Sequence, residues 1–312
     1  MFLKIFSFAL IALFSLSVSA QKARTATSPT AQLKTITIVT EPKATVWLDD
    51  VKRGETDENG KLAIKYSLPG TRKLRIRADG FAEVSQNLLP SNKGDVKIAL
   101  VKTTDEAELA FQRAESETDK QKAAELYKQT IKLRPNYAEA NLGLARALSD
   151  NGEYEAALKA IQVARKARPG YAEASAVEGR IYKSEGDEEK AVTSFKRAIT
   201  EGKGFQPEAN TGLGLLYKEK AEAFGGEGKF DEETANYQIT ADYFRKAVTQ
   251  LSGAPDAEVL YEFLGLVYEK MKRYKDAIAV YEEFLRVFPD SNETSAVRSF
   301  IVQLKKQMNG EQ

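Results

Sequence analysis

Arg134-Pro135-Asn136-Tyr137-Ala138-Glu139-Ala140 returns as Arg168-Pro169-Gly170-Tyr171-Ala172-Glu173-Ala174, 34 residues further on. Gly152 and Gly186, Ala157 and Ala191, and Ala164 and Ala198 keep the same offset. A repeat of about 34 residues is the length of one helix–turn–helix unit that stacks on copies of itself. The residue types fit that geometry. Two helices cross closely only where side chains are small, and Ala145, Gly179, Gly214 and Gly265 supply such positions on first helices. Ala157, Ala191 and Ala277 do so on second helices. Large residues fill the adjoining gaps: Leu148, Tyr182, Tyr217 and Tyr268 on first helices, Tyr127, Ile161, Phe195, Phe244 and Tyr281 on second helices. Pro135, Pro169 and Pro289 end second helices, because proline cannot continue one. Gly152-Glu153-Tyr154 and Gly186-Asp187 are read as turns inside hairpins.

On these residues the stretch 104–308 resembles the tetratricopeptide repeat (TPR) family. The resemblance implies an all-α, right-handed solenoid of five hairpins, 104–136, 138–170, 172–204, 207–252 and 258–290, closed by a capping helix over 292–308. The first hairpin departs from the pattern, with Phe111 where the others have a small residue. The fourth carries extra length between Tyr217 and Phe244, with Gly225-Gly226-Glu227-Gly228 in the excess. Two elongated helices joined by a Gly-rich loop are predicted there. No Lys-Ser or Lys-Thr follows those glycines, so they are not a phosphate-binding loop.

Outward from the repeats, the period changes from helical to two. Six short runs, beginning at Thr35, Thr45, Leu62, Lys73, Phe81 and Val96, alternate apolar and polar residues between Gly, Pro, Asn and Asp turns. That spacing predicts a small antiparallel β-sandwich over 34–101. Leu74 and Ile76 should face its core, with Lys73, Arg75 and Arg77 toward water. Trp47, the only tryptophan, lies on the face opposite Val46 and Leu48. The segment resembles a PEGA domain in Glu41-Pro42-Lys43-Ala44, Gly54-Glu55-Thr56, Leu68-Pro69-Gly70 and Asp79-Gly80-Phe81, which come in the family's order. The glycine usual before the motif alanine is missing, and Asp49-Asp50 stands where Asp-Gly is common. The resemblance implies a non-catalytic module of the surface or envelope. The chain is thus read as multidomain, a PEGA-like β-sandwich followed by a TPR solenoid. The two parts are expected to keep separate cores and unfold separately across Lys102-Thr103.

Residues 1–20 carry one charge, Lys4, then an apolar stretch ending in Val18-Ser19-Ala20. This is the form of a secretory signal peptide, cleaved between Ala20 and Gln21 and too short for a membrane-spanning helix. Residues 21–33, rich in Thr, Ser and Ala, are read as a flexible linker. A periplasmic or secreted location in a bacterial envelope follows from export together with the lack of cysteine. The mature form is not membrane-spanning.

The 312-residue chain has 46 Lys and Arg against 45 Asp and Glu, and neither His nor Cys. The charge balance speaks against nucleic acid. The two missing residue types remove thiolate and imidazole nucleophiles, the usual zinc ligands and the Ser-His-Asp triad. No pair of carboxylates stands out as a catalytic centre. The chain is therefore read as no enzyme, with no cofactor and no metal. In solenoids of this family the first helices line a concave groove that takes a peptide or a partner's helix. Arg146, Arg180, Lys183 and Lys218 are the expected cations of that groove, with Asn141 and Leu142 beside them, and an acidic protein segment is the expected partner. The competing structural role is neutralisation by Glu139, Glu173, Glu208 and Glu219. The sequence reading is an exported adaptor that binds protein through the groove, positioned at the envelope by the β domain. The alternative is a cell-wall or glycan-binding protein led by the β domain.

Overall fold

The computed structural model describes residues 33–67 and 69–310. The signal sequence, its cleavage site and most of the linker lie outside the described residues.

Among the described residues, seven strands come first: β1 (Lys34–Val39), β2 (Thr45–Leu48), β3 (Val51–Glu55), β4 (Lys61–Tyr66), β5 (Arg72–Arg77), β6 (Val84–Leu88) and β7 (Gly94–Lys97). They form two sheets, ordered β4-β1-β7 and β3-β2-β5-β6. All pairs are antiparallel except β1 with β7, which is parallel. Ile36, Ile38, Val46, Leu48, Ile64, Leu74 and Ile76 alternate into a shared core between the sheets. The run after Thr45 contains two strands, because Asp49 and Asp50 both take left-handed φ (+53° and +62°) and turn the chain in two residues. That is the twist a tight hairpin needs. The Asp49 carboxylate holds the turn, accepting from Lys73 N at 2.9 Å and from Arg72.

Eleven helices follow: α1 (Glu106–Ser116), α2 (Lys120–Leu133), α3 (Ala138–Asp150), α4 (Tyr154–Ala167), α5 (Ala172–Glu185), α6 (Glu188–Glu201), α7 (Pro207–Gly226), α8 (Phe230–Leu251), α9 (Glu258–Lys270), α10 (Tyr274–Val287) and α11 (Thr294–Asn309). They pack as five consecutive hairpins with α11 against α10. The side chains of Asp105, Asp119 and Asp187 cap α1, α2 and α6, each accepting from a first-turn backbone N–H. α2, α4 and α10 each stop two residues before Pro135, Pro169 and Pro289. In the long fourth hairpin the helix runs on through Gly225 and Gly226, so the turn is only Glu227-Gly228-Lys229. First helices touch their successors, α3 with α5 and α5 with α7, while second helices make no comparable contact. A stack whose first helices are closer together than its second helices curves toward the first, which puts α3, α5 and α7 on the concave side.

The β sandwich and the repeats form one compact unit. Lys73, Arg75 and Arg77 do not all face water as the alternation alone predicts. The outer face of the four-stranded sheet turns toward the helices, and Arg77 is 8% exposed. Its guanidinium bonds to Glu83, lies 3.8 and 3.6 Å from Glu108 and Glu115 of α1, and stacks over Phe111 at 4.4 Å. This explains why Phe111 departs from the repeat pattern. Among the described residues no hairpin precedes α1, and a β-strand arginine meets that face instead. Val51 joins the apolar cluster of α8–α11. The cores are thus in contact at both ends of the array, and separate unfolding is not what this packing implies.

Candidate functional site

The sheet's outer face and the concave helices enclose a cleft of about 1090 Å³. One wall carries Trp47, Lys73, Arg75 and Ser85. The other carries Glu139, Arg146, Glu173, Arg180, Lys183, Glu208 and Thr211. Toward α9 the lining turns apolar, with Phe205, Leu215, Leu251, Val259 and Leu260. Val259 is 46% exposed there. The volume is at the upper limit for a drug-sized ligand.

Three of the six residues singled out from the sequence line this cleft: Arg146, Arg180 and Lys183. Lys218 lies further along α7, 2.6 Å from Glu222. Lys183 is 2.6 Å from Glu219. Arg146 joins two carboxylates, Glu173 at 2.9 Å and Glu208 at 3.0 Å. Burial works against the Arg146 charge, yet Glu208 and Glu173 together raise its pKa above the ordinary value. The Glu173 carboxyl is also raised. Burial is the first cause, Arg146 opposes it, and Glu208 adds to it. Two carboxylates share one guanidinium, so each repels the other while both hold Arg146 charged. Arg180 is tied more loosely. Asp150 and Glu208 approach it only to 3.9 and 4.0 Å, and its Nε and Nη2 make no hydrogen bond.

Asn141 and Leu142 are not presented to a ligand. Asn141 is 3% exposed and donates through Nδ2 to the backbone oxygens of Pro135 and Tyr137. Leu142 is buried in the core of the first hairpins. Asn141 is thus held on the α2–α3 connection and Leu142 in the core, a distinction that a 34-residue period alone does not make.

The β wall is the part that the sequence reading missed. Trp47 is partly buried in the cleft, with the Arg75 guanidinium over its ring at 4.3 Å and that of Arg77 at 5.5 Å. Such stacking takes up a ring face that a sugar platform needs free. The available signal was Trp47 and the alternating Arg75 and Arg77 on one sheet face, a pattern that fits a face set against carboxylate-rich helices.

Residues 105–181, 172–201 and 264–291 match tetratricopeptide repeat profiles. Over those residues the helices are tetratricopeptide repeats. No curated protein matches the sequence. Among solved structures, the array is similar to the APC/C hetero-tetramer Cut9-Hcn1, at 16% identity over 65% of this chain and 37% of that one, TM-score 0.49. It is similar to the human IFIT1 dimer with PPP-AAAA, at 18% identity over 66% of this chain and 46% of that one, TM-score 0.47. TTC0263, a thermophilic TPR protein in Thermus thermophilus, gives 17% identity over 64% of this chain and 98% of that one, TM-score 0.44. The chain spans less than half of the first two. No helix among the described residues is long and apolar enough to cross a membrane.

Proposed function

We propose that this chain is a protein-binding scaffold, and that a segment of the partner lies in the cleft between the concave TPR helices and the outer face of the β sheet. The observation that carries this is the cleft itself, two-walled, about 1090 Å³ in volume, and graded from charged near α3 to apolar near α9. TPR arrays are generally non-enzymatic and bind protein, and such grooves read extended or helical segments. The acidic-partner reading narrows to Arg180, since Arg146, Lys183 and Lys218 are each committed to a carboxylate of this chain. A partner carboxylate meets less competition at Arg180, and its apolar residues go toward Val259 and Leu260. Export to the envelope rests on residues 1–20. The PEGA-like part is here given a role as cleft wall, and a glycan role loses its motive once Trp47 is stacked under arginine.

The test is to select peptides from a phage-displayed random library on the immobilised protein and to measure their binding by the fluorescence of Trp47. Thr211→Phe and Arg180→Glu should each weaken binding by about tenfold or more, the loss of one charge-assisted contact or of the space it needs. Lys159→Glu, on the outer surface, should not. Equal effects of all three would sink the proposal.

A further inference from the structure

The β part meets the repeats at two places that differ in kind. The contact with α1 is close in sequence and gives its buried cation carboxylate partners. Arg77 faces Glu83, Glu108 and Glu115, and Gln112 accepts from Gly80 N at 2.9 Å while donating to Phe81 O at 2.7 Å. The contact with the end of α8 joins residues nearly two hundred positions apart and pairs its cation with backbone oxygens instead. Arg53, 5% exposed, donates from Nη1 to Leu251 O at 2.9 Å and to Ser252 O at 2.5 Å. Its Nε and Nη2 have no partner, and no carboxylate among the described residues reaches it within 4 Å. The negative end of α8 and a longer-range pull from Asp49 are what answer its charge. Beside it, Ser67 and Ser252 share a hydrogen bond at 2.6 Å. Gly253, at φ +74°, lets Lys65 O approach so closely that a Cβ would fall 2.4 Å from it.

A guanidinium taken out of water without a counter-ion is costly to bury, and one with three carboxylates is not costly in the same way. An interface with these two ends yields first at the uncompensated one. We propose that the β part is a latched lid on the concave face, released at Arg53 and pivoting on the Arg77–α1 contact, and that a partner segment enters the cleft through this opening. Burial lowers the Arg53 pKa to about 10, against a smaller opposing pull from Asp49, in keeping with a charge that gains from leaving the interface. The opening lies at the apolar end of the cleft, where Phe205, Leu251 and Leu260 meet Val51, so the apolar part of a partner enters there. The proposal rests on the cleft being the binding site, and its test separates the two.

The chain has no cysteine, so Ser67→Cys with Ser252→Cys gives a protein whose only thiols lie in the latch. In the reduced form, the rate at which a maleimide labels these thiols reports opening. Adding Gly253→Ala should raise that rate by about tenfold or more while helical circular dichroism is unchanged, because the close approach is lost, whereas Arg53→Met, which removes the uncompensated charge and keeps the apolar bulk, should lower it. In the oxidised form the lid is locked. Peptides selected on the reduced protein should bind it about tenfold or more weakly when it is oxidised, and reduction should restore binding. Labelling unchanged by both variants, or equal binding to the oxidised and reduced forms, overturns the lid. If Thr211→Phe still blocks binding in that case, the cleft stands without the lid. If Thr211→Phe has no effect, the cleft reading itself fails, and the labelling rates alone decide whether the latch opens.

Discussion

Gly179 is the sharpest point at which to test the packing that sets the cleft. It lies where α5 crosses α6, and an alanine Cβ there would stand 2.6 Å from Cδ1 and 2.8 Å from Cε1 of Phe195. That ring is fully buried and has no room to retreat, because its Cζ lies against Gly212 of α7, where an added Cβ would be 2.3 Å away. Helix propensity alone favours Gly→Ala by up to about 1 kcal/mol. Overpacking a core crossing costs about 1–3 kcal/mol. Because the ring cannot retreat, the upper part of that range, about 2–3 kcal/mol, applies; the expected net effect of Gly179→Ala is a loss of about 1–2 kcal/mol, and Gly179→Leu should lose more than ~2 kcal/mol. Gly226→Ala is the control, because an added Cβ there meets nothing within 4 Å. Released from crowding, it should gain a few tenths to about 1 kcal/mol. Urea unfolding followed by helical circular dichroism measures all three as midpoint shifts at constant slope. If Gly179→Ala is neutral or stabilising like Gly226→Ala, the crossing is not tight and the repeat register built on it is wrong.

Three further outcomes follow from the charged contacts. Arg146→Glu places a third carboxylate beside Glu173 and Glu208 and should destabilise by about 3 kcal/mol, as breaking a partly buried pair does; Arg180→Glu, with partners near 4 Å, should lose under about 1 kcal/mol, and equal losses in thermal melts would contradict the ion-pair pattern. Arg77→Met leaves Glu83, Glu108 and Glu115 without their common partner and should cost about 3 kcal/mol, read as earlier loss of the Trp47 fluorescence signal; an unchanged midpoint would mean that the α1 contact does not hold the β part. The Asp105 carboxyl is held below its usual range, first by the Glu108 backbone N–H and then by Arg134, so it stabilises the α1 end fully above the ordinary aspartate pKa and loses that effect as pH falls through the lowered value. Asp105→Asn should flatten this acid-side loss in melts taken across the acid range, whereas an identical pH profile would remove Asp105 from the account.

The repeat region was legible because its signals are local and recur. Small residues at crossings, proline after second helices and the Gly152 and Gly186 turns fix helix ends within one or two residues. The sandwich was legible for the same reason, down to the inward-facing Leu74 and Ile76. The Asp49-Asp50 hairpin was not, because a left-handed pair is usually marked by glycine and here depends on a carboxylate reaching Lys73 N. The cleft was half legible. Periodicity brings Arg146, Arg180 and Lys183 to one face and offers Glu173, Glu208 and Glu219 as neutralising partners, which Arg146 and Lys183 take, but it cannot tell that Arg180 is left loosely held. Nor can it show that residues 198 apart, Arg53 and Leu251, meet. Docking of the sheet on the helices is a long-range event, and its sequence trace is only an excess of arginine on one strand face.

The claim that both walls hold the partner is tested most directly by photocrosslinking from each wall. A benzoylphenylalanine is placed at Ser85 on the sheet, at Thr211 on α7, or at Lys159 on the outer surface, and each protein is incubated with a peptide selected on the unmodified chain. The account predicts that Ser85 and Thr211 both trap the peptide, at overlapping positions along it, and that Lys159 traps none. Trapping from Lys159, or from only one of the two walls, would contradict it.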